Sequence, residues 1–262
     1  MRRLDDLSEA SKLAFSSLKP GVLTNHVMTA DEYREDINRK LLFTHTWPGG
    51  VFFLRKREGY HILSYIISDT SILPQCVLPD DSFIEIAYKS GGACSAAKAS
   101  EFWVKAGFKL RFERIRLSRP SGICDEAAKN ICLAKAQDID GCNVLLRTCF
   151  DRKTGYLPDF DELMSDITKG HVICMKDSHN RVCGLLRCQM RAASVEIRQL
   201  AIREDMRGRG LARHLINFFL SIWDEKKSIV WMEDGYAPAL KSYISVGFSP
   251  DGWRSLVLTY CL

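Results

Sequence analysis

The residues Arg207-Gly208-Arg209-Gly210-Leu211-Ala212 put a basic, glycine-broken bend between a strand-like run, Val195–Ile202, and an amphipathic run, Leu211–Trp223. A strand that feeds through such a bend into a helix makes a site for a pyrophosphate. The first turn of a helix has amide N–H groups without partners inside the helix, and the helix dipole adds partial positive charge at that end. Gly208 and Gly210 let the backbone approach a phosphate and take dihedrals closed to other residues, while Arg207, Arg209 and Arg213 supply charge around the bend. No metal is required. The bland competitor is a solvated cluster of arginines flanking a helix; two glycines interleaved with them at a strand-to-helix junction favour the anion.

The downstream order extends the pattern. Ser228–Met232 reads as a β-branched and aromatic strand, Ala237–Val246 as a short helix ahead of Gly247-Phe248, and Trp253–Tyr260 as an alternating strand. With this context, Arg207-x-x-Gly210-x-Ala212 resembles the Arg/Gln-x-x-Gly-x-Gly/Ala signature of the GNAT acetyltransferase superfamily, which binds acetyl-coenzyme A. The resemblance implies that Arg207, Gly208, Arg209, Gly210, Leu211 and Ala212 wrap the pyrophosphate. It implies too that the strand Val195–Ile202 bonds the pantetheine arm through its backbone, the main chain at Leu200, Ala201 and Ile202 also polarising the thioester carbonyl. Tyr243 falls where many members carry a tyrosine near the cofactor sulfur, and Ala239 on a small-residue position. Tyr236 stands where the family often has an asparagine, which leaves that polar contact to coenzyme A open. Glu196 lies eleven residues before Arg207, the spacing at which the family's protein-lysine acetyltransferases carry their glutamate.

The chemistry so implied is transfer of an acetyl group to a primary amine by direct attack in a ternary complex. An ammonium has no lone pair to attack with, so a base must take a proton, a donor must polarise the carbonyl, and an acid must meet the departing thiolate. Glu196 is the candidate base, directly or through a water, and Tyr243 the candidate acid. Each has a structural alternative. Strand residues two apart point the same way, so Glu196 could simply pair with Arg198; Tyr243 could be a core residue with its hydroxyl at the rim.

Two rivals stand beside this reading. A dinucleotide-binding unit also has Gly-x-Gly between strand and helix, but the third glycine is replaced by Arg213, and Arg203–Met206 separates strand from turn. A coenzyme A-binding regulator without turnover would need the bend but neither Glu196 nor Tyr243.

Composition bounds the remainder. The 262 residues, 46% apolar and 26% charged, suffice for two ordinary domains, and a net charge of +5 with scattered arginines gives no support to nucleic acid as the main ligand. No apolar run is long enough to span a bilayer, and Met1-Arg2-Arg3 leads into an acidic segment, so a cytoplasmic protein that does not act on membranes is expected. The ten cysteines form no C-x-x-C pair; Cys132, Cys174 and Cys183 read as small buried hydrophobes of a reducing compartment. Trp231 and Trp253 read as core residues, with Trp253 after Gly252 alternatively lining an acceptor pocket, and His214 as a surface histidine.

A duplication is visible. Glu101–Phe108 echoes Lys241–Phe248, each ending in Gly-Phe and each preceded by a hairpin-like pair, Val51–Lys56 with Tyr60–Ile67 and His171–Met175 with Val182–Met190. Proline and glycine near Ser118–Gly122 place the division at 119/120. The expected fold is a mixed α/β sheet of two GNAT-like modules. Residues 1–119 form a degenerate module with no pyrophosphate loop, and 120–262 a complete acetyl-coenzyme A-binding one. In the first, Ser68–Ser82 replaces bend and helix, and Trp103 replaces the tyrosine; its role is to complete a sheet, wall an acceptor groove or mediate a dimer. In the second, Ile131–Ala136 reads as a strand and Gly141–Cys149 and Asp159–Thr168 as helices. Donor and acceptor would meet where neighbouring strands splay apart. The acceptor, a small molecule or a protein, is read from the least motif-bearing segments, with Tyr156, Asp159 and Asp161 as groove candidates; monomer and homodimer stay open.

Overall fold

A computed structural model describes residues 1–79, 81–122, 130–152 and 154–260. The chain divides into two compact units, residues 1–113 with 254–262, and residues 114–253. Along it run β1 (Arg2–Arg3), α1 (Leu7–Ser17), β2 (Leu23–Thr24), α2 (Ala30–Asn38), β3 (Leu42–Trp47), β4 (Gly50–Arg57), β5 (Tyr60–Ile67), β6 (Ser82–Lys89), α3 (Ala93–Lys105) and β7 (Phe108–Arg119). Then come β8 (Ile131–Leu133), α4 (Ile139–Cys149), α5 (Phe160–Thr168), β9 (Val172–Lys176), β10 (Val182–Met190), β11 (Ser194–Ile202), α6 (Leu211–Ile222), β12 (Lys227–Glu233), α7 (Ala237–Ile244) and β13 (Ser249–Tyr260). The expected mixed α/β architecture is present.

In the first unit the sheet runs β1-β3-β4-β5-β6 and is antiparallel except for the pair β5–β6. Alternation along its strands sends Phe52, Leu54, Leu63 and Tyr65 to one face, with Phe102 and Trp103 of α3, and Val51, Phe53 and Ile66 to the other, with Ala10, Ala14 and Tyr33 of α1 and α2. The helices are started by their own side chains: Asp6 caps α1, and Thr29 with Glu32 forms a reciprocal capping box on α2.

The parallel pair is short. Only His61↔Ser82 and Ile62↔Phe83 are in register, after which β5 and β6 part. The gap is filled by the chain itself. Asn25 Nδ2 donates to Leu63 O (3.3 Å) on β5 and to Glu85 O (2.9 Å) on β6, its Oδ1 accepts from Tyr65 N–H (2.8 Å), and Thr24 Oγ1 donates to Tyr65 O (2.7 Å). Trp103 is fully buried.

In the second unit β12, β11, β10, β9 and β8 lie side by side in that order, with β11–β12 parallel and the rest antiparallel, and residues 114–119 of β7 lie along β12. One face is covered by α6 and α7, whose Leu215, Ile216, Phe219, Leu220 and Tyr243 join Val195, Ile197, Val230 and Met232. The other is covered by α4 and α5 through Leu145, Leu146, Leu163 and Ile167 against Leu185 and Ala201. Gly184 is what lets α6 sit down on β10: a Cβ there would stand 3.1 Å from both Ile202 Cδ1 and Leu215 Cδ1.

The elements that the sequence marked fall within four residues of expectation, the largest difference being β13, which starts at Ser249 rather than Trp253, and the others have local reasons. β8 stops at Leu133 because Asp138 accepts from Lys135 N–H in a turn that starts α4 two residues early, at Ile139. Cys132 is exposed rather than buried, lying on a strand that pairs only with β9. Trp231 and Trp253 are half-buried outside the core; their rings hold the Arg116 guanidinium at 5.6 and 4.9 Å.

Candidate active site

The second unit also has a parallel pair that parts. Ser194↔Lys227 through Ile197↔Val230 are in register, whereas β11 continues five residues to Ile202 and β12 three to Glu233. Arg198, the first residue past the last pair, is also the extra residue of a bulge against β10: Arg187 faces Gln199 while Cys188 faces Ile197. Such a bulge bends a strand away from its neighbour, which accounts for the opening at this point.

β11 leads by a single 3₁₀ turn, Glu204–Met206, into the arginine-glycine bend. Gly208 and Gly210 both have φ of 75°, the left-handed region that favours glycine, and Gly210 is the N-cap of α6 without any side-chain cap. Arg207 N–H and Arg213 N–H are bonded to the carbonyls of Glu204 and Gly210, but none of the five amides from Gly208 to Ala212 donates to a protein acceptor among the described residues. Gly208, Arg209 and Gly210 are exposed, and a Cβ at either glycine would meet nothing within 4 Å. Unsatisfied amides at an open helix start, with guanidiniums at hand, are what a diphosphate needs. Arg207 Nε donates to Ile202 O (3.0 Å) and Arg209 Nη2 to Asp205 O (3.1 Å), so these side chains also brace the bend to the end of β11.

The other sequence-predicted residues lie on β11, α6 and α7 and at the N-cap of α7. Leu200 and Ile202 on β11 are half-buried and Ala201 is buried; Leu211 and Ala212 on α6 are half-buried. Ala239 packs against the core under α7, whereas Tyr236, the N-cap of α7, is exposed. Tyr243 is buried, its ring edge-on to Phe248 at 5.4 Å, and burial pushes its hydroxyl pKa well above the usual value. A hydroxyl so shifted stays protonated through neutral pH, the form an acid needs.

Glu196 is buried too, with Oε1 2.7 Å from Arg198 Nη1 and Oε2 3.4 Å from Arg191 Nη2. The pairing with Arg198 anticipated from strand alternation is therefore present. Because Val195 and Ile197 point into the α6–α7 core that holds Tyr243, Glu196 between them points to the opposite face. Glu196 and Tyr243 therefore lie on opposite faces of the sheet.

The sequence did not reveal what steadies the Glu196 face. Arg187, 5% exposed, donates from Nε to Asp166 Oδ2 (2.6 Å), from Nη2 to Glu162 Oε1 (2.7 Å) and from Nη1 to Gln199 Oε1 (3.1 Å). Gln199 Nε2 then donates to the carbonyls of Gly155 (2.7 Å) and Tyr156 (3.0 Å). A buried guanidinium persists only when compensated in this way. The legible signal was an arginine inside the apolar run Val182–Met190 and two carboxylates one helical turn apart on α5. Asp159 accepts from Glu162 N–H as the cap of α5, which assigns it a structural task. Among the described residues, no group of three or more His, Cys, Asp or Glu is placed to hold a metal ion.

Residues 140–248 match the model of the acetyltransferase (GNAT) family. The chain carries a GNAT domain. Solved structures extend the likeness in fold beyond it. A Drosophila protein superposes with a TM-score of 0.61 at 14% identity, covering 98% of this chain and 97% of that one. A GNAT-family acetyltransferase from Colwellia psychrerythraea gives 0.58 at 11% identity, covering 100% and 99%. A tandem GNAT protein from the clavulanic acid biosynthesis pathway gives 0.51 at 9% identity, covering 84% and 83%. No curated protein sequence matches the chain. The GNAT domain contains the bend, the opening and both Glu196 and Tyr243. No helix among the described residues is long and apolar enough to cross a membrane.

Proposed function

We propose that the second unit, residues 114–253 rather than the 120–262 expected from sequence, is an N-acetyltransferase that moves an acetyl group from acetyl-coenzyme A to a primary amine of a small molecule or protein by direct attack in a ternary complex. The observation that carries this is the parting of β11 from β12 directly upstream of an open bend whose five consecutive amides lack protein acceptors. Acetyl-coenzyme A would supply a thioester carbonyl as electrophile. The amides of 208–212 and the guanidiniums of Arg207 and Arg209 hold its diphosphate. The main chain at Leu200–Ile202 lies along the gap, where it can bond the pantetheine arm and polarise the carbonyl. Glu196 takes the proton from the incoming ammonium, directly or through a water, and Tyr243 returns one to the departing sulfur. The first unit, residues 1–113 with 254–262, is on this reading a GNAT-like module in which Thr24 and Asn25 take the place of such a ligand, so only one donor site per chain is proposed. The buried, unbridged thiols of Cys142, Cys174, Cys183 and Cys188 suit the reducing cytoplasm.

A second reading, a coenzyme A-binding regulator without turnover, is favoured by the engagement of both Glu196 oxygens by arginines and by the deep burial of Tyr243. A dinucleotide site is disfavoured by the 3₁₀ turn between strand and bend. Calorimetric titration with acetyl-coenzyme A and with NAD, followed by a primary-amine panel read by free-thiol release, separates the three. Binding with turnover supports the transferase, binding without it the regulator, and preference for NAD overturns both.

A further inference from the structure

The second unit carries a pair of opposed thiols at the edge of its sheet. Cys132 on β8 and Cys174 on β9 are Cα partners in the antiparallel register, between Ile131↔Met175 and Leu133↔Ile173. Opposed residues of such a pair send their side chains to one face, with Cα atoms about 4.5–5.5 Å apart, inside the span of roughly 4.4–6.8 Å that a disulfide bridges. The neighbours show which face it is. Ile131, Ile173 and Met175 belong to the core under α6 and α7, whereas Cys174 belongs with Cys142 of α4 to the core under α4 and α5. The Cys132 and Cys174 sulfurs stand 3.9 Å apart, and neither is bridged.

The two thiols differ in what can reach them. Cys132 is exposed and Cys174 fully buried. Burial pushes the Cys174 thiol well above its usual pKa, and the Cys142 thiol up to about 12. Since the thiolate is the nucleophile, an oxidant from solvent is met first at Cys132. Cys174 Sγ in turn points at Asp138 Oδ2 (4.0 Å), whose Oδ1 is 2.7 Å from Lys176 Nζ. From these positions we infer that Cys132 and Cys174 form a reversible redox site, in which a peroxide oxidises the exposed thiol and the buried thiol closes a disulfide between β8 and β9.

With hydrogen peroxide, the Cys132 thiolate attacks one oxygen. The S–O bond forms, the O–O bond breaks, and the departing hydroxide takes up the proton that Cys132 released, leaving as water. The Cys174 sulfur then attacks the Cys132 sulfur of this sulfenic acid. The S–S bond forms, the S–O bond breaks, and the second hydroxide leaves as water with the Cys174 proton, passed directly or by way of Asp138. Two thiols lose two electrons in all, and the peroxide gains two. A dithiol reductant reverses the change through two thiol–disulfide exchanges. The bridged residues are 42 apart in the chain, and α4 and α5 lie between them. The disulfide therefore restricts the unfolded chain across this whole layer and fastens an edge strand that pairs only with β9 among the described residues.

The site stands apart from the transferase reading, so its test needs no substrate. Full-length reduced protein is treated with one equivalent of hydrogen peroxide, its remaining thiols are blocked, and the digest is mapped by mass spectrometry. The main product should be a peptide pair linked through Cys132 and Cys174, restored to free thiols by dithiothreitol, and the oxidised protein should melt roughly 5 °C higher than the reduced one. Cys174→Ala should stop at a Cys132 sulfenic acid that dimedone traps, Cys132→Ser should slow oxidation of Cys174 at least tenfold, and Cys142→Ala should leave the link forming. The map of the unaltered chain decides without any variant. Cys132 left reduced, linked to a different cysteine or carried only to sulfinic acid overturns the site, and a link that leaves the melting temperature unchanged overturns the fastening of the layer.

Discussion

Replacing Gly210 with valine tests the proposed donor site at its narrowest point. At φ 75° a side chain costs about 1–2 kcal/mol of backbone strain, and β-branching adds to it. The space around the position is open, so the valine itself clashes with no protein atom. The strain is relieved by rotating the bend, which turns amides of the 208–212 set away from a common point. A hydrogen bond to a charged acceptor contributes about 1.5–3 kcal/mol net. Losing two of the five then weakens acetyl-coenzyme A binding by about 3–6 kcal/mol, roughly 10²–10⁴-fold in Kd. Calorimetry on wild type and variant measures this, with chemical denaturation confirming that the stability loss stays near the strain cost. S-acetylpantetheine, which lacks the diphosphate, is the internal control, since its affinity should be the same for both proteins. Equal acetyl-coenzyme A affinities, or an equal loss for S-acetylpantetheine, refute the cradle.

Tyr243→Phe keeps the ring against Phe248 and removes the hydroxyl, so kcat should fall on the order of 10²-fold with donor affinity within about twofold; equal losses in both would assign the residue to packing. Glu196→Gln should lower kcat by at least 10²-fold and flatten the acidic limb of the pH–rate profile, whereas an unchanged profile removes it as base. In the first unit, His26 Nδ1 meets Ser64 Oγ at 3.0 Å and Nε2 meets Tyr33 Oη at 2.5 Å, and burial, with the Arg55 charge adding, pulls its pKa from 6.5 to about 4. The unfolded chain takes up a proton near pH 6.5 that the folded one refuses. Stability is therefore full above that pH, declines as pH falls from 6.5 to 4, and levels off below, a change of order 3 kcal/mol. Urea midpoints at pH 7.5, 5.5 and 4 should show it, and His26→Gln should flatten the slope; equal slopes would disprove it.

The hairpins β4–β5 and β9–β10, strand β11 and helix α6 were legible because their apolar periods are undisturbed, and the bend was legible because its glycines are demanded by backbone conformation. The pairing of Glu196 with Arg198 was legible from alternation alone. The bulge at Arg198 was not, because an extra residue in a strand leaves no mark in an apolar pattern. Nor was the Arg187–Gln199 network, which joins α5, β10, β11 and the 154–156 turn across separations of up to 44 residues. The misplacement of Trp231 and Trp253 has the same origin. Sequence gives their size, while Arg116, held by Asp251 at 2.7 Å, gives them a cation to flank instead of a core to fill.

Both units contain a parallel pair of strands that separates after a few residues, and the segment leaving the first strand of the pair differs between them. After β11 come a 3₁₀ turn, the glycine bend and twelve residues of α6, which bring unsatisfied amides to the end of the gap. After β5 no helix forms among the described residues before β6. Without a helix start there is no field for an anion, and an empty gap would leave backbone groups of β5 and β6 unsatisfied inside the unit, which costs about 1–3 kcal/mol for each buried group. Asn25 and Thr24 meet this cost within the chain: two hydrogen bonds donated and one accepted by the asparagine, and one donated by the threonine, satisfy Leu63, Tyr65 and Glu85. In the second unit the proposed counterpart is the donor itself, with the pantetheine arm along β11 past Ile197 and the bend beside it setting the charge that this partner must carry.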